Sequence, residues 1–196
     1  SEYEISELSQ FEKIKSALEL CGEYATKNNQ RLSFHPGQFC VLASPSENVV
    51  KNAAIELNKH AEIMDLMKLP NSPQAKINIH VGGAYGNHEA ALERFCSNFE
   101  KYLTPSAQSR LTVENDDKPS MYSTKMLYEG VHKRIGVPIV FDSHHHELGP
   151  QDQDYKDAFY LARSTWPEGI RQQCHHSNSK KLYEDPKVPA ISHSAW

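Results

Sequence analysis

Two kinds of hydrophobic pattern alternate along the chain. Short runs of strand-forming residues predict β-strands, and longer stretches with apolar residues three or four positions apart predict amphipathic helices. We expect strands at residues 31–35, 76–80, 110–114, 138–142 and 169–175. Helices are expected at residues 11–28, 48–67, 89–103, 123–135 and 155–165, and the polar stretch 177–189 indicates a loop.

Strands that alternate with helices predict parallel βαβ units. Every predicted strand ends in a side chain that can bind a metal, in the order His35, His80, Glu114, Asp142 and His175. A doubly wound sheet would use one crevice for its site, whereas a barrel gathers one residue from each strand end. The chain therefore predicts one domain over residues 1–196, a TIM-type (β/α) barrel of which five of the eight strands are present.

Composition indicates an ordinary folded domain of 196 residues, 38% hydrophobic and 23% charged. The formal charge of −4 argues against binding nucleic acid by bulk charge, although bound cations can reverse the sign locally. No apolar run approaches the roughly 18 residues of a membrane span, so no membrane partner is expected. The four cysteines are scattered without a CxxC pair, which indicates reduced thiols.

The candidate ligands combine imidazoles and carboxylates. Glu114 opens the sequence ENDD after an apolar run, and a buried carboxylate needs a partner charge or a metal. Asp142 and His145 stand three positions apart in FDSHHH, a suitable spacing for two ligands in a turn. Mixed ligands suit Mn²⁺, Zn²⁺ or Fe²⁺ better than Ca²⁺. More than four candidates indicate two or three ions, and such clusters hydrolyse phosphoesters.

Four motifs in this order resemble the UV damage endonuclease family: RLSFHPGQF, HVGGAYG followed by ERF, LTVENDD and PIVFDSHHH. Weaker similarity continues through TWPEG, HHSNS and ISHSAW, so the resemblance covers nearly the whole chain. It implies a TIM barrel with a trinuclear metal site, often manganese, that nicks DNA 5′ to ultraviolet photoproducts and leaves a 3′-hydroxyl and a 5′-phosphate. The partner would be damaged double-stranded DNA, with no protein partner implied.

The resemblance also implies roles for individual residues. His35, His80 and Glu114 would hold one ion, and Glu114 would bridge to a second ion shared with Asp142 and His175. A third ion would be held by His145 and His193. The catalytic set would be Glu114, His35, Asp142 and His175, and the ions would be Mn²⁺, with Zn²⁺ and Mg²⁺ as alternatives.

The residues expected at the DNA include two from the same motifs and several basic residues near the predicted mouth of the barrel. Gln38 and Phe39 match the pair that the family inserts into the duplex, where a wedge selects damage because unstacking is cheapest at a lesion. Further contacts with DNA are expected from Asn115, Arg94 and Lys118, with Lys180 as another basic candidate. A bacterial or viral protein of this kind would be cytoplasmic and associated with the nucleoid. A eukaryotic one would be nuclear.

Two departures from the family pattern affect these expectations. Gln173 stands where some members carry a carboxylated lysine that binds metal, which predicts a weaker third ion. The family's first strands would precede Ser1 and its last strand, with a final glutamate ligand, would follow Trp196, so we expect an incomplete barrel. Three alternatives remain open: an abasic-site endonuclease of the endonuclease IV type, a sugar isomerase-like metal barrel without DNA activity, and a non-enzymatic module that binds damaged DNA.

Overall fold

A parallel sheet flanked by helices forms the centre of the computed structural model, which describes residues 4–194. The four strands pair in the order β1-β2-β3-β4, every pair parallel. Their bounds are Ile77–Ile79 (β1), Leu111–Glu114 (β2), Ile139–Asp142 (β3) and Cys174–His175 (β4). The first three strands are buried throughout, which agrees with a parallel sheet covered on both faces.

Nine α-helices connect and cover these strands within the described part of the chain. They are α1 (Phe11–Lys27), α2 (Glu47–Leu66), α3 (His88–Tyr102), α4 (Pro105–Arg110), α5 (Thr124–Leu127), α6 (Lys133–Ile135), α7 (Ser143–Leu148), α8 (Tyr155–Ser164) and α9 (Lys180–Tyr183). Single 3₁₀ turns span Ile5–Glu7 and Pro73–Ala75, and a π-helical turn spans Tyr128–His132. Among residues 4–194, no helix has both the length and the apolar character that crossing a membrane requires.

The fold class is the expected one: α/β, with a curled parallel half-barrel. The expectation of five strands was wrong, because residues 31–35 contribute a single isolated bridge between Phe34 and Ile77 instead of a strand. The bridge is parallel and lies beside β1, so this segment still continues the order of the sheet. The run at 169–175 was predicted too long, since only Cys174 and His175 pair with β3.

The predicted helices agree with the structure except in the fourth. Residues 123–135 divide into α5, the π-helical turn and α6. Helix α6 is followed by the capping residue Gly136, which has a left-handed φ of +72°. Three short helices were not predicted. Helix α4 ends at Arg110, the residue assigned to the start of a strand, and α7 begins directly after β3 in the histidine run. The stretch 177–189, expected as a loop, contains α9.

One apolar core joins the sheet to its helices. Fully buried side chains from β1, β2 and β3 pack with the inner faces of α2, α3 and α8. They include Ile77, Leu111, Ile139, Leu57, Phe95 and Ala162. Because this packing fixes the strands, the residues at the carboxyl ends of the strands are held in constant positions relative to one another.

Candidate metal centre

Glu114 lies at the centre of the candidate site, at the carboxyl end of β2. Its carboxylate is 1% exposed. Oε2 lies 3.2 Å from His35 Nε2 and 3.0 Å from His175 Nδ1, and Oε1 lies 3.4 Å from His145 Nδ1. One buried carboxylate is therefore surrounded by three imidazoles from three different segments of the chain.

Two groups of three ligand atoms share this carboxylate. His35, His80 and Glu114 form one group, and Glu114, Asp142 and His175 form the other, with the atoms of each group within 4.8 Å of one another. Carboxylate oxygens and imidazole nitrogens at such separations fit divalent transition metals. The residues of the two groups are the two sets named from the sequence, and they fit two ions that share Glu114.

The third expected pair is less complete. The rings of His145 and His193 are 5.7 Å apart, and no third group of three ligand atoms occurs among residues 4–194. His193 is exposed and its Nδ1 lies 2.7 Å from Ser177 Oγ. Gln173 cannot form a carbamate, and its buried Oε1 has no hydrogen-bond partner. The donors present here fit a third ion less well than the first two.

Two histidines of the site also have a hydrogen bond between Nδ1 and a backbone carbonyl oxygen. His145 Nδ1 lies 2.9 Å from the carbonyl oxygen of Asn115, and His35 Nδ1 lies 3.2 Å from that of Pro36. A carbonyl oxygen only accepts, so in both rings Nδ1 carries the proton. In each neutral ring Nε2 is then the nitrogen available to a metal, and a second partner of this kind is typical of metal-binding histidines.

The local helix α7 explains the geometry of the histidine run. Asp142 caps this helix, and its Oδ1 accepts a hydrogen bond from the backbone of His145 at 2.9 Å. An aspartate is a favoured N-cap because it satisfies a free backbone N–H. The cap holds the side chains of Asp142 and His145 on the same side of the helix start, with Oδ2 and Nε2 4.0 Å apart.

The ionisable groups of the site shift one another's pKa values. Burial alone would raise the pKa of the Glu114 carboxyl, but hydrogen bonds from His175 and His35 hold it well below its usual range. The bond to Glu114 raises the pKa of His35 against the opposing effect of burial. Burial lowers the pKa of His80, and nearby Asp116 more than reverses this effect and brings it to about 9. The raised pKa values of His35 and His80 favour protonated imidazoles beside a carboxylate that stays ionised.

Two supporting residues were not foreseen from the sequence. Asn78 is fully buried on β1, donates a hydrogen bond to Glu114 Oε2 and accepts one from Thr112 Oγ1 at 2.8 Å. Asp116 Oδ1 lies 3.2 Å from His80 Nδ1. The period-two alternation of a strand places Asn78 on the same face as His80, which is the one signal that could have identified it.

The residues expected at the DNA divide into two sets. Gln38, Phe39 and Lys118 are exposed and line one cavity together with His80 and His145. The expectation for Asn115 does not fit, because the side chain is 1% exposed and its amide bonds the backbone N–H and carbonyl of Asp142. Asn115 instead ties β2 to β3.

Neither of the other two basic candidates lines this cavity. Arg94 donates a hydrogen bond from Nε to the carbonyl oxygen of Ala43 at 2.9 Å, and its guanidinium lies over the ring of Tyr85. Lys180 lies on α9, with Nζ 4.0 Å from Glu184. Arg94 therefore has a clear structural role within the protein.

A model of the family described as UV-endonuclease UvdE matches residues 5–192. The chain is 38% identical over 168 residues to a UV DNA damage endonuclease of Bacillus pumilus, covering 85% of this chain and 50% of that protein. It is 36% identical over 173 residues to the UV-damage endonuclease of Schizosaccharomyces pombe, covering 84% and 28%. The chain thus spans about half the length, or less, of these curated relatives.

Solved structures agree with this result. The crystal structure of SacUVDE superposes with a TM-score of 0.84 at 32% identity, covering 98% of this chain and 61% of that one. A D-psicose 3-epimerase from Clostridium cellulolyticum superposes with a TM-score of 0.63 at 14% identity, covering 85% and 59%. At that identity the similarity concerns the fold, which is the barrel architecture.

Proposed function

The chain belongs to the UV-endonuclease UvdE family, and from this membership we propose that it takes part in metal-dependent incision of DNA 5′ to ultraviolet photoproducts. The products would be a 3′-hydroxyl and a 5′-phosphate. The substrate is damaged double-stranded DNA, and the reaction belongs in the compartment that holds it, the bacterial cytoplasm or the eukaryotic nucleus.

One observation carries the proposal: two groups of ligand atoms share the buried carboxylate of Glu114 at the carboxyl ends of parallel strands. Divalent ions bound there, which we propose to be Mn²⁺, would lower the pKa of water and neutralise charge on the phosphodiester. The shared carboxylate sets the distance between the two positions. This arrangement suits phosphoester hydrolysis better than binding alone.

Each residue of the site has a distinct role in the proposed reaction. Glu114 supplies the permanent negative charge, since its pKa is held far below neutrality by His175 and His35. His35, His80, Asp142 and His175 complete the two ligand groups, and His145 and His193 lie beside them as the weaker third pair. Asn115 holds the end of β3 in place through Asp142.

The exposed wedge supports DNA as the substrate. Phe39 is 83% exposed, an unusual position for a phenylalanine unless a partner covers it. It adjoins Gln38 on the loop that follows His35, and both line the cavity beside the centre. An aromatic ring can occupy the space that a displaced base leaves in the stack. Lys118, exposed on the same cavity, supplies a positive charge for the phosphate backbone.

The deciding experiment uses three end-labelled duplexes, which contain one cyclobutane dimer, one abasic site or no lesion, incubated with Mn²⁺. We expect a nick directly 5′ to the dimer and loss of that nick in Glu114→Gln. The control is Glu129→Gln, because Glu129 is an exposed glutamate that pairs with Lys133.

Two of the three alternatives have their own result with these duplexes, and the sugar isomerase-like barrel would instead be supported by sugar turnover without DNA cleavage. Preference for the abasic duplex would support an abasic-site endonuclease. Selective binding of the dimer duplex without a nick would support a binding module. Because the chain spans about half the length of its relatives, a silent chain is tested again as a version extended at both termini, and failure of both to cut any of the duplexes would contradict the proposal. Replacing Mn²⁺ with Zn²⁺ or Mg²⁺ in the same assay tests the choice of ion.

A further inference from the structure

The loop between β1 and α3 holds a tyrosine in a strained backbone conformation. Tyr85 has a φ of +49°, in the left-handed region that bulky residues rarely adopt. The side chain is 50% exposed, so the ring is not completely buried and its burial does not explain why this conformation is tolerated. Strain of this kind persists where the surrounding structure fixes it, and it concentrates at ligand sites.

Neighbouring groups hold the ring of Tyr85 in place. A Cβ atom on Gly83 would lie 3.2, 3.3 and 3.4 Å from three atoms of the phenol ring, so the ring lies directly against this glycine. The guanidinium carbon of Arg94 lies 5.6 Å from the ring centroid. Since Arg94 is itself bonded to the carbonyl oxygen of Ala43, the ring has a fixed neighbour beyond its own loop.

The ring of Tyr85 also forms part of the cavity beside the metal centre. This cavity has a volume of about 810 Å³, within the range of cavities that hold organic ligands. Its lining includes Phe39, Lys118, His80 and His145. Two accessible aromatic rings and a lysine therefore adjoin two candidate metal ligands in one cavity.

We propose that Tyr85 is a specificity-determining residue whose ring contacts a base displaced from the damaged duplex. The proposal rests on the proposed function. Every base presents a π-face, so an aromatic wall accepts bases of any sequence. A base at a lesion leaves the stack most readily, so such a wall favours damaged DNA. Phe39 is the wedge expected from the sequence, and Tyr85 adds a second ring, with Arg94 as its positioning residue.

The test measures equilibrium binding of fluorescent duplexes with and without a cyclobutane dimer, in EDTA so that the DNA stays intact. We expect the unmodified chain to prefer the dimer duplex. Tyr85→Leu should bind it about tenfold more weakly, equivalent to about 1.4 kcal/mol, with unchanged affinity for intact DNA. Tyr85→Phe should retain the preference. Tyr160→Leu is the matched control, because Tyr160 is 52% exposed on α8 and is not among the described residues that line the cavity.

A further variant separates binding from folding. Tyr85→Gly removes the ring and also the strain, because glycine adopts positive φ freely, so its unfolding temperature should be maintained while the preference is lost. Equal affinity of Tyr85→Leu and the unmodified chain for the dimer duplex would overturn the role of Tyr85 and leave the proposed function standing. Equal weakening on both duplexes would overturn its role in specificity. Absence of any preference in the unmodified chain would overturn the role of Tyr85 if the chain still nicks 5′ to the dimer with Mn²⁺, and would refute both proposals if it does not.

Discussion

Lys76 illustrates the cost of a buried charge. The residue directly precedes β1 and is 2% exposed. Burial lowers the pKa of its ammonium group from the ordinary 10.5 to about 8, even though the charge of Glu114 acts in the opposite direction. Between pH 8 and 10.5 the unfolded chain therefore binds more protons than the folded one, so this group makes stability rise with pH across that interval.

We predict that Lys76→Met stabilises the protein by about 3 kcal/mol at pH 7, because methionine fills a similar space without a charge to desolvate. The gain should shrink as pH rises above 8 and disappear above pH 10.5, where Lys76 is neutral in both states. Urea unfolding at a series of pH values measures the difference. Lys156→Met, at an exposed position on α8, is the control. A gain that stays constant over the whole pH range would contradict this explanation.

Asn78 should control metal affinity without binding the metal. It bonds both Glu114 and Thr112, and so it fixes the orientation of the shared carboxylate. We predict that Asn78→Ala weakens Mn²⁺ binding by about 10–100-fold, the usual effect of removing a partner of a metal ligand. Isothermal titration measures the affinity. Asn98→Ala, which removes a similar bond to the carbonyl oxygen of Leu42, should bind Mn²⁺ normally. Unchanged affinity in Asn78→Ala would exclude this role.

Among individual residues, the sequence predicted best the positions that follow from a single rule about parallel strands. The last residue of a parallel strand lies at a common edge, and this rule named His80, Glu114 and Asp142 as neighbours. Strand alternation gives the face on which Asn78 lies, but the bonds of Asn78 and Asn115 depend on strand register and on neighbouring strands, which no local pattern encodes. Asn115 was expected at the DNA and is instead buried, because its amide satisfies backbone groups of β3.

At the scale of elements, helix α1 packs closely on the end of α2 through a glycine. A Cβ atom on Gly22 would lie 1.8 Å from the carbonyl oxygen of Met67, an impossible contact with a backbone atom. We predict that Gly22→Ala lowers the free energy of unfolding by about 1–3 kcal/mol, as overpacking does elsewhere, despite the higher helix propensity of alanine. Thermal unfolding measures this change.

The matched control for Gly22→Ala is Gly37→Ala. A Cβ atom on Gly37 would have no neighbour within 4 Å, and its backbone needs no positive φ. This substitution should leave the unfolding temperature nearly unchanged. If Gly22→Ala were as stable as Gly37→Ala, helix α1 would be able to shift away from Met67, and the close packing would carry little of the stability.

Helices were predicted best where the apolar positions repeat regularly over several turns. Helices α1, α2 and α3 agree with the sequence to within one residue at each end, because their inner faces repeat over several turns. Residues 123–135 carry a similar period, yet the helix widens to a π-turn around Gly130, whose Cβ would lie 2.5 Å from Leu92 Cδ1. The π-turn depends on contact with helix α3, and this contact cannot be predicted from the local sequence of residues 123–135.

At the scale of the whole molecule, the formal charge is −4, and three carboxylates, those of Glu114, Asp116 and Asp142, are buried at the ends of the strands. The alternation of strands and helices was enough to predict the barrel architecture, because parallel strands require helical connections. The length of the individual strands was not predictable, since β4 depends on its pairing with β3 and residues 31–35 make only one bridge. Folding gathers these carboxylates with histidines at the strand ends, in groups that could hold a metal ion, and the unfolded chain has no such arrangement.

Binding of Mn²⁺ should therefore stabilise the entire fold. An ion that binds only the folded state at one hundred times its dissociation constant adds about 2.7 kcal/mol to the free energy of unfolding. We predict a rise in unfolding temperature that grows with Mn²⁺ concentration and is reversed by EDTA. In Glu114→Gln the rise should be largely lost, because this residue belongs to both ligand groups, whereas Glu129→Gln should respond normally. If Glu114→Gln were stabilised to the same extent, the ion would bind elsewhere on the molecule, and the shared carboxylate could not be the metal centre.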